Sequence, residues 1–175
     1  PDRHVAPGEV GEVVVRGPVV SPAYADRPEA TAAAKLWWDG ELAHRTGDLA
    51  SRDAAGRLWF AGRVAHVVHT ADGPLYSVPC EEVLNHHPAV RRTALVGVGP
   101  EHDRTPVAVV EMLDGAPLTA AVRRELGAIA AADLRTRSIT TLLEHPGLPV
   151  DPRHNSKIDR PALARWAASE LGVAS

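Results

Sequence analysis

The sequence predicts an α+β protein in two parts. Residues 1–62 alternate between β-branched runs and turns, whereas residues 66–175 combine apolar strands with segments of helical periodicity. Hydrophobic residues make up 45% of the chain, which is enough for a packed core. A length of 175 residues allows one ordinary domain or two small ones. We therefore expect a small antiparallel β unit followed by a compact α+β domain, with the boundary at residues 63–65.

The first part begins with a turn at residues 7–11 and a strand at residues 12–16, where β-branched residues predominate. A short helix is expected to begin near Pro28, because proline suits the first helical position, and to continue through residues 30–35. Residues 37–40 resemble a turn that ends in Asp-Gly.

A hairpin is predicted between residues 45 and 63. Residues 51–56 form its connection, and large β-forming residues follow at positions 58–61. Asp48 follows one glycine and Arg63 follows another, so the hairpin would bring a carboxylate close to a guanidinium. The carboxylate can accept hydrogen bonds from two ribose hydroxyls, and the arginine can bind ribose or phosphate oxygens. A plain surface ion pair is the alternative, and spacing alone favours it.

The second part mixes strands and helices. Residues 64–69 indicate a strand, residues 71–74 a turn, and residues 78–84 a helix with Pro79 in its first turn. The remaining elements are expected as follows: strands at 90–98 and 107–113 that pair across the loop at 99–105, a helix at 118–132, a strand at 139–143, a polar loop at 151–157 and a final helix at 160–171.

Composition argues against several functional classes. The net charge is −3 without a run of basic residues, which disfavours nucleic acid as the main partner. No apolar stretch is long enough to span a membrane. The single cysteine, Cys80, cannot form an internal disulfide, which fits a cytoplasmic protein. The first residues show no signal-peptide pattern and no initiator methionine, so we expect a fragment or a processed chain.

Few residues suggest chemistry by themselves. Lys157, in a polar loop before the last helix, can place a point charge on a phosphate or a developing oxyanion, or it can be an ordinary surface lysine. The nine histidines lack the partners and spacing of a metal site, so we expect no metal bound by protein ligands. Cys80 has no general base nearby in sequence, and neither common glycine-rich phosphate-binding motif occurs.

Six short motifs in a fixed order resemble the C-terminal third of the adenylate-forming enzymes. That family includes acyl- and aryl-CoA synthetases, luciferases and the adenylation domains of peptide synthetases. The motifs are Gly8-Glu9-Val10-Gly11-Glu12, Arg27-Pro28-Glu29-Ala30-Thr31, Arg45-Thr46-Gly47-Asp48, Gly62-Arg63, Glu81-Glu82-Val83-Leu84 with His87-Pro88-Ala89-Val90, and Lys157-Ile158.

The resemblance implies a role for each candidate residue. Asp48 would bind the ribose hydroxyls of ATP, Arg63 would hold ribose or phosphate, and Lys157 would bridge the carboxylate and the α-phosphate as the acyl-adenylate forms. Mg²⁺ would accompany the ATP. Residues 1–62 would be the terminal β subdomain of a large adenylation domain, residues 63–65 a hinge, and residues 66–175 a mobile C-terminal lid domain.

Three stretches (69–82, 92–99 and 145–158) resemble more specifically the β-lactone synthetases of bacterial olefin biosynthesis. That resemblance implies a lipid-metabolism enzyme that adenylates a 2-alkyl-3-hydroxy fatty acid and closes it to a β-lactone, releasing pyrophosphate and AMP. The substrate's own hydroxyl is already tethered to the activated carbonyl. Other enzymes of the same pathway would be possible partners.

The sequence departs from the acyl-CoA synthetase pattern at three places. Ala65 stands where those enzymes carry Asp or Lys at the pivot, residues 71–74 replace a Gly-Gly loop, and Asn155-Ser156 replaces Thr-Gly before the lysine. These departures fit an enzyme that never receives CoA. The phosphate loop and acyl pocket would lie upstream of Pro1, so the isolated chain is expected to be inactive. The alternatives are an acyl-CoA synthetase and a non-catalytic interaction module.

Overall fold

The computed structural model describes residues 4–152 and 157–173. The chain forms two compact units that meet in sequence between Ala65 and His66, at the end of the expected junction. Strands and helices occur in both units, which confirms the predicted α+β class. The assignment of the parts as terminal β subdomain, hinge and lid stays a prediction.

The first unit is organised around one long strand, β3 (Glu41–Arg52). Strand β1 (Val10–Arg16) runs antiparallel along one edge of β3, and the other edge is shared by β2 (Lys35–Trp38) and β4 (Leu58–Arg63). Helix α1 (Pro28–Ala34) precedes β2, and proline occupies its first position as predicted. The predicted hairpin between residues 45 and 63 is therefore confirmed as β3–β4, but its connection is residues 53–57, because Ser51 and Arg52 still pair with β4.

The expected turn at residues 37–40 is wrong in its first half. Trp37 and Trp38 lie in β2 and pair with Leu42 and Glu41. Only Asp39-Gly40 forms the connection, and both residues have positive φ (51° and 77°). A two-residue loop of this conformation matches the twist of a β-hairpin, so the two aromatic residues before it can extend the strand.

The second unit contains a three-stranded sheet. Strand β7 (Val90–Val98) is antiparallel to β8 (Thr105–Met112), which confirms the predicted pairing across the intervening loop, and β9 (Thr141–Glu144) is parallel to β8. A small hairpin of β5 (Val68–Thr70) and β6 (Gly73–Leu75) precedes this sheet.

Three helices complete the unit: α2 (Ser77–Asn85), α3 (Ala120–Ala132) and α4 (Arg160–Leu171). All three were expected from the sequence, and α4 has the predicted bounds.

Positions Val64–His66 form a 3₁₀ turn, so the strand expected at residues 64–69 is wrong in its first half. Only Ala71 and Asp72 form the turn that was expected at residues 71–74. The error at residues 64–66 arises because a run of a few apolar residues is too short for its periodicity to distinguish a 3₁₀ turn from a strand.

The sheet of the second unit is covered on both faces. Along β8, Ala108 and Val110 belong to the core beneath α2 and α3, whereas Val107 and Val109 belong to the core beneath α4. Successive residues of a strand point to opposite faces, so a strand buried on both sides is a continuous apolar run. This packing fixes the positions of β8 and of the segments that follow it.

We expect the thiol of Cys80 to be unreactive in the folded protein. Its side chain is buried, and Sγ donates to the carbonyl oxygen of Arg135 at 3.0 Å. Burial, together with the negative charge of Glu81, raises the pKa of the thiol to about 12, so little thiolate exists at neutral pH. Peptide mapping after treatment with an alkylating reagent at pH 8 should find Cys80 modified only in denaturant. Complete labelling of the native protein within minutes would contradict the buried position.

Candidate functional site

Asp48 and Arg63 form an ion pair across the β3–β4 hairpin. They are paired in the strand register, and Arg63 Nε lies 3.0 Å from Asp48 Oδ1. The guanidinium also donates to the carbonyl oxygen of Thr46 at 3.1 Å. The side chains are 42% and 45% exposed, so both remain accessible to a ligand. The expected proximity of the two groups is observed, and Asp48 lies within β3.

A bulge in β3 places this pair. Glu12 is opposite Leu49 and Val14 is opposite Arg45, so Val13 alone faces the three residues at positions 46–48. A second irregularity lies on the other edge, where β4 carries an extra residue between the partners of Leu49 and its neighbour. Bulges bend a strand and re-aim its side chains. The site therefore lies where β3 is displaced relative to both neighbours.

Glycine precedes each member of the pair for a conformational reason. Gly47 has a φ of 73° and Gly62 has a φ of 118°, values that other residues adopt only with strain. These two residues allow the backbone to turn immediately before Asp48 and Arg63.

Polar side chains form hydrogen bonds with backbone groups at the bulge. The hydroxyl of Thr46 donates to the carbonyl oxygen of Val13 at 2.8 Å and accepts from the amide of Asp48 at 3.1 Å. Glu12 accepts from the amide of Gly47 at 3.3 Å and from the Arg45 guanidinium at 2.6 and 2.8 Å. Sequence reasoning did not assign Thr46 or Glu12 a role, because their contacts depend on a strand register that no local signal specifies.

Lys157 is exposed and lies at the base of a loop in the second unit. Its neighbour Ile158 forms an antiparallel bridge with Val150, and the Lys157 carbonyl accepts from the amide of Asp151 at 2.8 Å. Asp159 then caps α4 by accepting from the amide of Ala162 at 3.0 Å. The chain on the helix side of Lys157 is thus fixed by backbone pairing and by a helix cap. Asn155-Ser156, the expected departure before the lysine, lies outside the described residues.

A buried carboxylate holds the other limb of the same loop. Glu111 accepts from the amide of Leu148 at 2.8 Å and from Arg92 Nε at 2.7 Å, and Arg92 donates to the Leu148 carbonyl oxygen at 3.2 Å. Burial raises the pKa of Glu111, but these hydrogen bonds and the charges of Arg92 and Arg91 more than offset it, so the pKa lies below its usual value. The carboxylate is therefore ionised and bound on three sides.

Ala65 lies in the 3₁₀ turn Val64–His66 and is exposed. It is the last residue of the first unit. Its expected role as part of a hinge stays a prediction.

The histidines at the end of α2 have structural contacts. His87 is buried, its Nε2 lies 2.9 Å from a carboxylate oxygen of Glu125, and its Nδ1 accepts from the amide of Ala89 at 3.2 Å. These contacts join α2 to α3. Within residues 4–152 and 157–173, no three side chains of His, Cys, Asp or Glu are grouped so as to hold a metal ion. In the same ranges, no helix is both long and apolar enough to cross a bilayer.

Comparison with known sequences identifies relatives over nearly the whole chain. An olefin beta-lactone synthetase of Stenotrophomonas maltophilia is 48% identical over 174 residues, 97% of this chain and 32% of that protein. The Xanthomonas campestris enzyme of the same name is 48% identical over 96% of this chain. A salicyl-AMP ligase of Mycobacterium tuberculosis is 32% identical over 98% of this chain and 28% of its own length. The chain thus spans about a third of the relatives it matches, and no family model matches it.

Solved structures show the same fold. An amide bond synthetase of Marinactinospora thermotolerans superimposes with a TM-score of 0.77 at 30% identity, over 93% of this chain and 32% of that one. The o-succinylbenzoate coenzyme A synthetase of Bacillus subtilis in complex with AMP gives a TM-score of 0.74 at 26% identity, over 91% of this chain and 31% of that one.

We expect Gly47→Ala to destabilise the first unit by about 1–2 kcal/mol, because a side chain at positive φ is strained. Space is not the obstacle, since the added Cβ would lie 3.5 Å from Arg63 Nη2. Urea unfolding followed by tryptophan fluorescence measures the change. Gly127→Ala is the control: this glycine is exposed in α3 with no atom near its added Cβ, so the change should stabilise by up to about 1 kcal/mol. Equal effects of the two substitutions would contradict the strained turn.

The Glu111 carboxylate should make the second unit sensitive to acid. Its folded pKa lies below the value of 4.5 for an unperturbed glutamate, so its contribution is present above pH 4.5 and is lost as the pH falls through the folded pKa. Glu111→Gln should reduce the unfolding free energy at pH 7 by about 1–3 kcal/mol and flatten its decline below pH 5. Urea unfolding between pH 7 and pH 3 tests this. The exposed Glu101→Gln should retain the wild-type profile, and an equally steep decline in both variants would refute the assignment.

Proposed function

We propose that this chain forms the C-terminal part of a β-lactone synthetase of the adenylate-forming family. The carrying observation is the 48% identity to olefin beta-lactone synthetases over 97% of the chain. The substrate would be a 2-alkyl-3-hydroxy fatty acid, activated with ATP. The AMP and ATP complexes of the o-succinylbenzoate coenzyme A synthetase support a nucleotide as the ligand.

We assign the nucleotide to Asp48 and Arg63. A half-exposed carboxylate offers acceptors for two ribose hydroxyls, and the neighbouring guanidinium offers donors for ribose or phosphate oxygens. Asp48 and Arg63 are cross-strand partners in β3–β4, and each follows a glycine with positive φ. Mg²⁺ would enter with the phosphates of ATP, since the described residues of this chain offer no ligand cluster for it.

In the first half-reaction the carboxylate of the fatty acid attacks the α-phosphorus of ATP, and pyrophosphate leaves. The carboxylate and the α-phosphate are both anionic, so negative charge accumulates where they come into contact. We propose that Lys157 supplies the positive charge that offsets it, because an ammonium on a long flexible stem acts as a point charge on phosphate. Its exposure at the base of a loop suits a residue that must reach a ligand.

In the second half-reaction the 3-hydroxyl oxygen of the same molecule attacks the activated carbonyl carbon. The hydroxyl loses its proton to solvent water, the bond from carbonyl carbon to AMP oxygen breaks, and AMP leaves with that electron pair. A four-membered lactone ring results. Because nucleophile and electrophile are already joined, no second substrate has to bind. Ala65, in place of a charged pivot residue, is consistent with an enzyme whose lid, residues 66–175, serves no CoA-dependent step.

The product formed by the complete gene product tests this proposal. Incubation with ATP, Mg²⁺ and a 2-alkyl-3-hydroxy acid should give a β-lactone, AMP and pyrophosphate, identified by NMR, with and without CoA. A CoA thioester formed only when CoA is present would replace the proposal with an acyl-CoA synthetase. Absence of both products from a range of acyl-chain lengths would favour a non-catalytic module.

The two lysines of the sequence provide a matched pair of variants for the same experiment. Lys157→Ala should slow pyrophosphate release by about 100- to 1,000-fold, the range expected when a group that stabilises developing charge is removed. Lys35→Ala removes the same charge from β2, where the ammonium lies near Ser21 and Tyr24, and should leave the rate unchanged. Equal rates for Lys157→Ala and wild type would remove Lys157 from the mechanism.

A further inference from the structure

A largely buried ion pair links the start of α4 to α2. The guanidinium of Arg160 binds the carboxylate of Glu81 through two contacts, Nη1 to Oε1 at 2.5 Å and Nη2 to Oε2 at 3.0 Å. The two side chains are 13% and 12% exposed. Two parallel contacts between planar groups fix both distance and orientation, which a single contact does not.

The same pair is joined to the central sheet. Glu81 Oε1 accepts from the amide of Leu95 at 2.7 Å, and Arg160 Nη1 donates to the carbonyl oxygen of Leu95 at 3.0 Å. Leu95 lies in β7, so one cluster of charged hydrogen bonds connects two helices through a strand buried on both faces. The first residue of α4 is thereby held against a strand of the packed sheet.

Stability alone is a weak explanation for such a pair. Taking two charges out of water is costly, and apolar residues of similar size often replace a buried pair with no loss of stability. Apolar contacts, however, do not fix the relative orientation of two side chains as paired hydrogen bonds do. A bidentate pair that is also hydrogen-bonded to a buried strand is therefore better explained by a need to fix the position and orientation of the first residue of α4.

Arg160 is three residues after Lys157, so their Cα atoms are at most about 11 Å apart. The two intervening residues connect Arg160 to the other limb of the loop: Ile158 pairs with Val150, and the amide of Asp159 donates to the carbonyl oxygen of Pro149 at 2.8 Å. A displacement of Arg160 would therefore be transmitted to the base of the loop that carries Lys157.

We propose that the Glu81–Arg160 pair is a positioning device for Lys157. This inference rests on the proposed catalytic role of that lysine. The pair sets where the loop base stands, and Lys157 contacts the reacting groups. Its loss should lower the rate of adenylation without changing the affinity for ATP, because a misplaced charge weakens an interaction made in the transition state.

The test uses pyrophosphate release by the complete synthetase. Glu81→Gln keeps the size of the side chain and an acceptor for Leu95 but removes the charge, and Arg160→Lys keeps the charge but removes the planar fork. Both should reduce kcat by about 100-fold and leave the KM for ATP unchanged. The control is Glu82→Gln on the same helix, whose carboxylate is 62% exposed and lies 3.6 Å from Arg135; it should retain the wild-type kcat.

A double-mutant cycle separates positioning from a general effect on folding. In a Lys157→Ala background, Glu81→Gln should cause no further loss, because the residue through which it acts is gone. A loss of the same factor in both backgrounds would overturn the proposal. A wild-type kcat for both Glu81→Gln and Arg160→Lys would also overturn it. If Lys157→Ala itself leaves pyrophosphate release unchanged, the proposed function fails first, and the two failures are thus distinguishable.

Amide hydrogen exchange provides a readout that does not depend on activity. In Glu81→Gln the amides of Asp151 and Asp159, which donate across the loop base, should exchange about 10-fold faster or more, while the amides of β8 keep their protection. Unchanged exchange at the loop base, or loss of protection throughout the unit, would contradict a local positioning role.

Discussion

Buried carboxylates fix the geometry of the second unit where its packed sheet gives way to irregular chain. Glu111 on β8 holds the amide of Leu148, and Glu81 on α2 holds the amide of Leu95 together with the guanidinium of Arg160. Each carboxylate accepts hydrogen bonds from backbone and arginine, so its charge is compensated away from water. The two limbs of the Lys157 loop therefore end in positions determined by the core.

The first unit reaches a defined geometry by another route. Strand β3 carries two extra residues opposite Val13. The amides of Gly47 and Asp48 in this bulge donate to the side chains of Glu12 and Thr46, respectively. Glycines with positive φ lie on both strands of the hairpin at this point. The bulge is a local solution that needs special backbone conformations, whereas the loop in the second unit depends on long-range charged contacts.

This difference explains which features the sequence could predict. The β-branched run of β1, the helical periodicity of α3 and the proline at the start of α1 are local signals, and they led to the correct elements. The approach of Asp48 to Arg63 followed from a hairpin signal that is also local. Six motifs in a fixed order then indicated the resemblance to the adenylate-forming enzymes, which no single residue would have done.

The features that sequence reasoning missed depend on register or on distant partners. Glu12 acts on Gly47 only because β1 and β3 align with a bulge, and no local pattern specifies that alignment. Glu81 and Arg160 are separated by 79 residues, and each alone resembles an ordinary charged residue on a helix. Trp37 and Trp38 were assigned to a turn because Asp-Gly follows them, although that dipeptide forms the whole connection.

The Asp48–Arg63 and Glu81–Arg160 pairs differ in burial, and this difference bears on what each can do. Asp48–Arg63 is about half-exposed, so the pair contributes on the order of 0–1 kcal/mol and can exchange one of its contacts for a nucleotide at little cost. Glu81–Arg160 is nearly nine-tenths buried, and removing one partner from such a pair costs about 3–5 kcal/mol. A pair that opens readily suits ligand binding, and a pair that stays closed suits the support of a neighbouring residue. In the functions proposed above, the same kinds of charged group would serve recognition in one unit and positioning in the other, and solvent access separates the two roles.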